Sequence, residues 1–254
     1  MRTYSYWYES ETLFSGSVTE HSFLLRPMPM ECPAQTLLDS SLQVMPLPDS
    51  LGSDTDIWGN TVRYGIVHEP HASFRTVSNG HVLVTGSEWP DLNPNKIFLA
   101  ETKLTSYSDE MQSLATPGNN LKAALAMAKT VNSTMSYCPG STEVLTTGAD
   151  SFRQKRGVCQ DFAHILISIC RKNGIPARYV CGVVVGEGQT HAWTQVWDKG
   201  AWWGIDPTAG ELCNDRYITV AVGRDAQDCS VSRGMFFGSV IQRTIANVLV
   251  EEKL

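Results

Sequence analysis

The spacing of apolar residues changes period near residue 114. Upstream, short runs of β-branched and aromatic residues at 4–8, 18–25, 42–44, 61–67, 73–77 and 81–85 are separated by Pro, Gly, Asn, Asp and Ser. Such runs, bounded by turn residues, predict strands, and residues 1–90 are predicted to form an N-terminal β-sandwich domain. Residues 91–112, entered through Trp89-Pro90 and interrupted by Asn93-Pro94-Asn95, read as a linker, leaving 113–254 as a second domain. There the period lengthens. Leu121, Ala124, Leu125, Ala128, Val131 and Met135 mark one helix after the start signal Pro117-Gly118-Asn119. Thr147 and Asp150 have capping-box spacing for a second, short helix reaching Arg156.

A third helix follows, with Val158, Phe162, Ile165, Leu166 and Ile169 at i, i+4, i+7, i+8 and i+11, a one-sided apolar stripe. Arg171 and Lys172 complement the negative end of its dipole, Gly174 suits a left-handed cap, and Pro176 blocks continuation. Strand-forming runs come next, at 179–185, 190–197 and 201–206, and Asp198-Lys199-Gly200 joins the last two as a hairpin. Residues 218–223 and 234–250 alternate in the same way and are expected to complete that sheet. The fold class is therefore α+β, a helix on an antiparallel sheet preceded by a β domain.

Chemistry enters with three residues. Cys159 falls in the first turn of the third helix, where unpaired N–H groups and the positive dipole end favour a thiolate. His191 and Asp206 lie on the two strands of the hairpin, and side chains alternate across a strand. A two-residue turn of Lys199-Gly200 places them diagonally on one face, and one of Asp198-Lys199 places them directly opposite. Trp193, Gln195, Trp197 and Trp202 share that face. If the helix packs there, Cys159, His191 and Asp206 meet as nucleophile, general base and imidazole-orienting group. An acyl group on the sulfur would lie beside the backbone N–H of Cys159, which makes that group the first oxyanion donor. Gln160, next in sequence, and Trp193, on the histidine's face, are further candidates for oxyanion or substrate contact.

Residues 157–164 (G-V-C-Q-D-F-A-H), 174–182 (G-I-P-A-R-Y-V-C-G), 191–193 (H-A-W) and 204–208 (G-I-D-P-T) resemble the core of the bacterial transglutaminase-like superfamily. The likeness is close over about residues 110–210. It extends to 56–62 (D-I-W-G-N-T-V) and 220–234 (V-A-V-G-R-D-A-Q-D-C-S-V-S-R-G), which are similar to members with an added N-terminal β domain. The resemblance implies a papain-like core in which the Cys159 helix packs on the sheet carrying His191 and Asp206. It also implies an aromatic residue near the cleft, here Tyr137, as second oxyanion or substrate contact. Ala209-Gly210 departs from the family pattern after Asp-Pro-Thr, where Asn is expected, and bears only on the local turn.

Composition narrows the alternatives. A formal net charge of −6 and a pI near 5.5 argue against a nucleic-acid binder held by phosphate contacts. No run approaches the ~20 apolar residues of a membrane span, and the first sixteen residues lack a secretory leader's pattern, so no membrane partner and a cytoplasmic location are expected. Seven cysteines without regular spacing fit free thiols better than a disulfide framework. No metal or cofactor is expected. Cys159, His191 and Asp206 lack zinc-ligand spacing, and Pro70 denies helical geometry to His68 and His71. The expected partner is a peptide or protein amide. His191 would take the thiol proton, Cys159 would attack the carbonyl, and a thioester would form. Water then gives hydrolysis, as in a cysteine peptidase or amidase, whereas a primary amine gives transglutamination. A non-catalytic binding module on the same fold, and any oligomeric state, remain open.

Overall fold

A computed structural model describes residues 1–253. The N-terminal part consists of β1 (Arg2–Leu25), β2 (Gln35–Met45), β3 (Ser50–Thr55), β4 (Thr61–Val67) and β5 (His71–Val84), all antiparallel. Two predicted runs, 4–8 and 18–25, are one strand. The polar stretch between them is held extended because β1 is paired along both edges, and such ladders override weak local propensity. The first half of β1 pairs with β5 and its second half with β4, so one long strand serves two sheets. Phe14, Val18, Phe23, Val67 and Phe74 form the core between them.

The segment predicted as a linker is packed structure. β6 (Glu88–Pro90) adds to the second domain's sheet, and Phe98, Leu104, Met111 and Leu114 are buried against that domain. Its Pro and Asn residues break periodicity without preventing its apolar side chains from being buried in two turns of 3₁₀ helix, Lys96–Leu99 and Asp109–Leu114.

Next come α1 (Leu121–Thr134), β7 (Ser136–Tyr137), α2 (Gly148–Gln154), β8 (Arg156–Gly157) and α3 (Cys159–Lys172). Asn120 caps α1 by accepting from the Ala123 N–H, and Thr147 caps α2 by accepting from the Asp150 N–H. The core sheet contains β9 (Ala177–Val184), β11 (His191–Asp198), β12 (Ala201–Asp206), β13 (Glu211–Leu212) and β14 (Tyr217–Gly223), in the order β13-β12-β11-β9-β14. The short β10 (Gly186–Gly188) belongs to the other sheet.

β15 (Ser232–Phe237) and β16 (Gln242–Lys253) correct an expectation. They run antiparallel along β1, from Leu25↔Ser232 to Thr3↔Lys253, and so complete the N-terminal sheets rather than the core sheet. The boundary 113–254 therefore fails as a structural division: the N-terminal domain is closed by the C-terminus. Alternation specifies a two-faced strand and says nothing of its partner.

β14, at the edge of the core sheet, is covered by two buried carboxamides. Gln35 bonds both the N–H and the C=O of Thr219, and Asn60 does the same at Val222, all within 2.7–2.8 Å. They take the place of a neighbouring strand on an otherwise open edge. Asn60 comes from the motif at 56–62.

Candidate active site

Gly157 and the first turn of α3 set the position of Cys159. A Cβ on Gly157 would come within 2.6 Å of Ser151 Oγ and 2.7 Å of Asp161, so only glycine fits between α2 and the helix start. Asp161 closes the turn, its Oδ2 accepting from the Val158 N–H at 2.8 Å and from the Thr142 hydroxyl at 2.7 Å. Burial pushes this carboxyl above its ordinary value.

The hairpin takes the diagonal register. Asp198 pairs with Ala201, leaving Lys199 and Gly200, at φ 49° and 90°, as the two-residue turn. The register continued from Thr194↔Ile205 puts Asp206 opposite Trp193 and diagonal to His191, on one face. His191 Nε2 and Asp206 Oδ2 are 2.8 Å apart. The turn after the aspartate closes without the expected Asn: Asp206 Oδ1 accepts from the Thr208 N–H at 2.8 Å, and Gly210, at φ 72°, donates to the Asp206 carbonyl.

The helix packs on the opposite face from the one expected. Ala163 and Leu166 are buried with Ala192, Val196 and Ile205, and the Thr194 hydroxyl meets the Ala163 carbonyl at 3.3 Å. The histidine's face is filled instead by Trp193 and Trp202, covered by Met30, Trp58 and Trp89, with the Arg178 guanidinium between Trp89 and Trp202. Small Ala177 and Ala192 let the helix approach; a face bearing two indoles does not. His191 is the first residue of its strand and Cys159 the first of its helix, so the two meet at the end of the sheet. The imidazole hydrogen-bonds Asp206 on one side, and the Cys159 thiol lies near enough on the other to raise its pKa. With Nε2 engaged by Asp206, Nδ1 is the nitrogen left for the thiol.

Burial opposes a charged imidazole, but the hydrogen bonds to Asp206 and Cys159 and the charges of both outweigh it, and the His191 pKa rises to about 10. Burial likewise opposes the Asp206 carboxylate, yet the His191, Thr208 and Tyr217 bonds hold its pKa below the ordinary range. The geometry thus favours imidazolium and carboxylate together.

Tyr137 is brought to the site. β7 and β8 pair in parallel, with Tyr137 opposite Gly157, and the half-exposed phenol lies near enough to the Cys159 thiol for the sulfur to raise its pKa. Burial and the neighbouring sulfur raise its pKa, so it stays a proton donor. Gln160 is turned away, its Nε2 donating to the Val144 carbonyl at 3.0 Å. A side chain one residue along the helix points about 100° from the first, and here it braces the 139–147 loop. Trp193 is fully buried, its ring edge-on to Tyr217, and so forms part of the domain interface rather than a substrate wall.

One residue at the site carried no sequence signal. Tyr217 donates to Asp206 Oδ2 at 3.0 Å, sharing that oxygen with His191. It begins β14, and only the order of strands in the sheet brings it within reach. Burial and the Asp206 charge raise its pKa, which keeps it a donor. Among the described residues, no three His, Cys, Asp or Glu side chains are arranged to hold a metal ion, and all seven cysteines are free. Among the described residues, no helix is long and apolar enough to cross a membrane.

Comparison with known proteins agrees with this architecture. Residues 106–207 match the transglutaminase-like superfamily, and residues 4–83 match the bacterial transglutaminase-like N-terminal region. An uncharacterized protein of Mycobacterium leprae is 34% identical over 232 residues, covering 80% of this chain and 82% of that protein. An uncharacterized protein of Mycobacterium bovis is 28% identical over 236 residues, covering 77% of this chain and 75% of that one. Among solved structures, a "Putative Cysteine Protease" from Cytophaga hutchinsonii superimposes with a TM-score of 0.83 at 23% identity, covering 99% of this chain and 90% of that chain.

Proposed function

Because the chain belongs to the transglutaminase-like superfamily, we propose that it hydrolyses amide bonds of peptides or proteins through Cys159, His191 and Asp206. The observation that carries this reading is the position of His191, bonded at Nε2 to Asp206 at 2.8 Å with Cys159 near enough to raise the pKa of the imidazole. Proton transfer from sulfur to His191 yields a thiolate and an imidazolium that Asp206 stabilises. The thiolate attacks the amide carbonyl. The oxyanion is held by the Cys159 N–H and the Tyr137 hydroxyl, and His191 returns the proton to the leaving amine. A thioester remains. Tyr137 is half exposed and His191 partly so, which leaves that thioester open to water and favours hydrolysis over capture by an amine.

Iodoacetamide at pH 6 tests the premise. A paired thiolate is alkylated at Cys159 with one-to-one stoichiometry, and His191→Ala slows that reaction to the rate of an ordinary thiol. A rate unaffected by His191→Ala removes the activated nucleophile, and with it the enzyme. Products then decide the reaction: new peptide termini indicate proteolysis, ammonia alone indicates deamidation, and incorporation of an added primary amine indicates acyl transfer.

A further inference from the structure

A cavity of about 1190 Å³ opens between the core and the N-terminal sheets. Gln160 and Thr190 line its near end, each adjacent in sequence to a member of the Cys159–His191 pair, and Val144 lies on its wall. It continues over β1 and β16, past Ser10, Thr12 and Thr244, to His21 and Phe74 in the N-terminal domain. Sites built around small molecules occupy about 300–1,000 Å³. This one is larger and extends away from the nucleophile.

Its walls are particular in two respects. Among the described residues, no carboxylate lines it, although the chain carries 26 Asp and Glu, and Arg233 is the formally charged group on its surface. It is also bordered by unpaired strand edge. β16 is paired with β1 along one side, but on the other it meets β10 only at Val248, Leu249 and Val250. Residues 242–247 therefore have no strand partner on that side among the described residues, and alternate backbone N–H and C=O groups there face outward.

We infer that this cleft binds an extended, neutral-to-acidic segment of a polypeptide substrate, which adds as a strand to the open edge of β16 and leads its scissile amide to Cys159. An open edge satisfies the main chain of any extended segment regardless of sequence, and the hydroxyl-lined, carboxylate-free wall accepts polar and acidic side chains. The N-terminal domain, with the C-terminal strand that closes it, then supplies half of the substrate site. This inference rests on the reading of Cys159 given above.

The test separates the two. Fluorescein-labelled, reduced and carboxymethylated α-lactalbumin, an unfolded acidic chain, is titrated into the Cys159→Ala protein, so that binding is read without turnover. Thr244→Trp places an indole in the cleft from an exposed position. It should weaken binding by about tenfold or more while leaving iodoacetamide labelling of Cys159, in the otherwise native protein, within about twofold. Hydrogen exchange should show added protection of the outward amides within 242–247 when the chain is bound. Absence of binding, equal binding by the Thr244→Trp protein, or no added protection in 242–247 overturns the inference. If Cys159 proves unreactive but the chain still binds at 242–247, the hydrolase fails and the docking site stands.

Discussion

Tyr217 and His191 share one oxygen of Asp206, so the phenol competes with the imidazolium for negative charge. Tyr217→Phe should lower kcat/KM by about tenfold or more, the effect of losing the ~1.5–3 kcal/mol of a hydrogen bond to a charged group. It should also move the alkaline limb of the pH profile upward, because a carboxylate relieved of one donor holds the imidazolium proton more tightly. The limb itself is expected near pH 10, where His191 loses its proton. Stability follows the same linkage: a folded pKa raised above the unfolded value of 6.5 stabilises fully below that pH and is lost as pH rises through about 10. The stability gap between the native chain and His191→Gln, measured by urea unfolding, should therefore narrow over that interval. At this scale the sequence was legible where spacing constrains geometry. Cys159 at a helix start and His191 and Asp206 of matching parity could be read directly, whereas Tyr217, placed by strand order alone, could not. Trp193 was assigned its face correctly and its role wrongly, since parity does not reveal what covers a face.

At the scale of the element, α3 shows how far a stripe of apolar positions goes. Every residue from Asp161 to Arg171 is buried, including His164 and Ser168 off the stripe, because α1, α2 and the 96–114 segment enclose the side that the sheet does not. His164 is accordingly held neutral, burial lowering its pKa to about 4. Arg171, expected to serve the helix dipole, instead runs inward and donates to the carbonyls of Phe98, Ala177 and Arg224 and to the Thr105 hydroxyl. It ties the segment read as a linker to the core. The acceptors that make its burial tolerable come from three separate parts of the chain, which the helix pattern alone does not reveal. The helix start is more sharply constrained. Gly157→Ala drives a methyl group into Ser151 and Asp161 and should cost about 1–3 kcal/mol in urea unfolding, with slower alkylation of Cys159 as the first turn shifts.

Across the whole molecule, the two sequence-defined domains share too much to act separately. Strands from both termini form one ladder, the indole-lined face of the core sheet is covered by N-terminal residues, and β14 is edged by Gln35 and Asn60. These contacts join residues more than 100 apart, which local pattern does not register; the motif at 56–62 resembles that of the family, but the role of its Asn60 emerges only from the assembled fold. A buried carboxamide that satisfies both groups of a backbone residue leaves two unpaired when it is removed. Asn60→Leu should therefore destabilise the protein by roughly 2–4 kcal/mol, about 1–2 for each orphaned group at Val222. Because the interface is core to both halves, that loss should be felt throughout. Tryptophan fluorescence, which reports on Trp58, Trp89 and Trp193 at the interface, and the accessibility of the buried Cys170 thiol within the core should shift together to lower urea in a single transition. If fluorescence changes at low urea while Cys170 stays protected to the native midpoint, the N-terminal part folds and unfolds independently, and the shared core does not couple them.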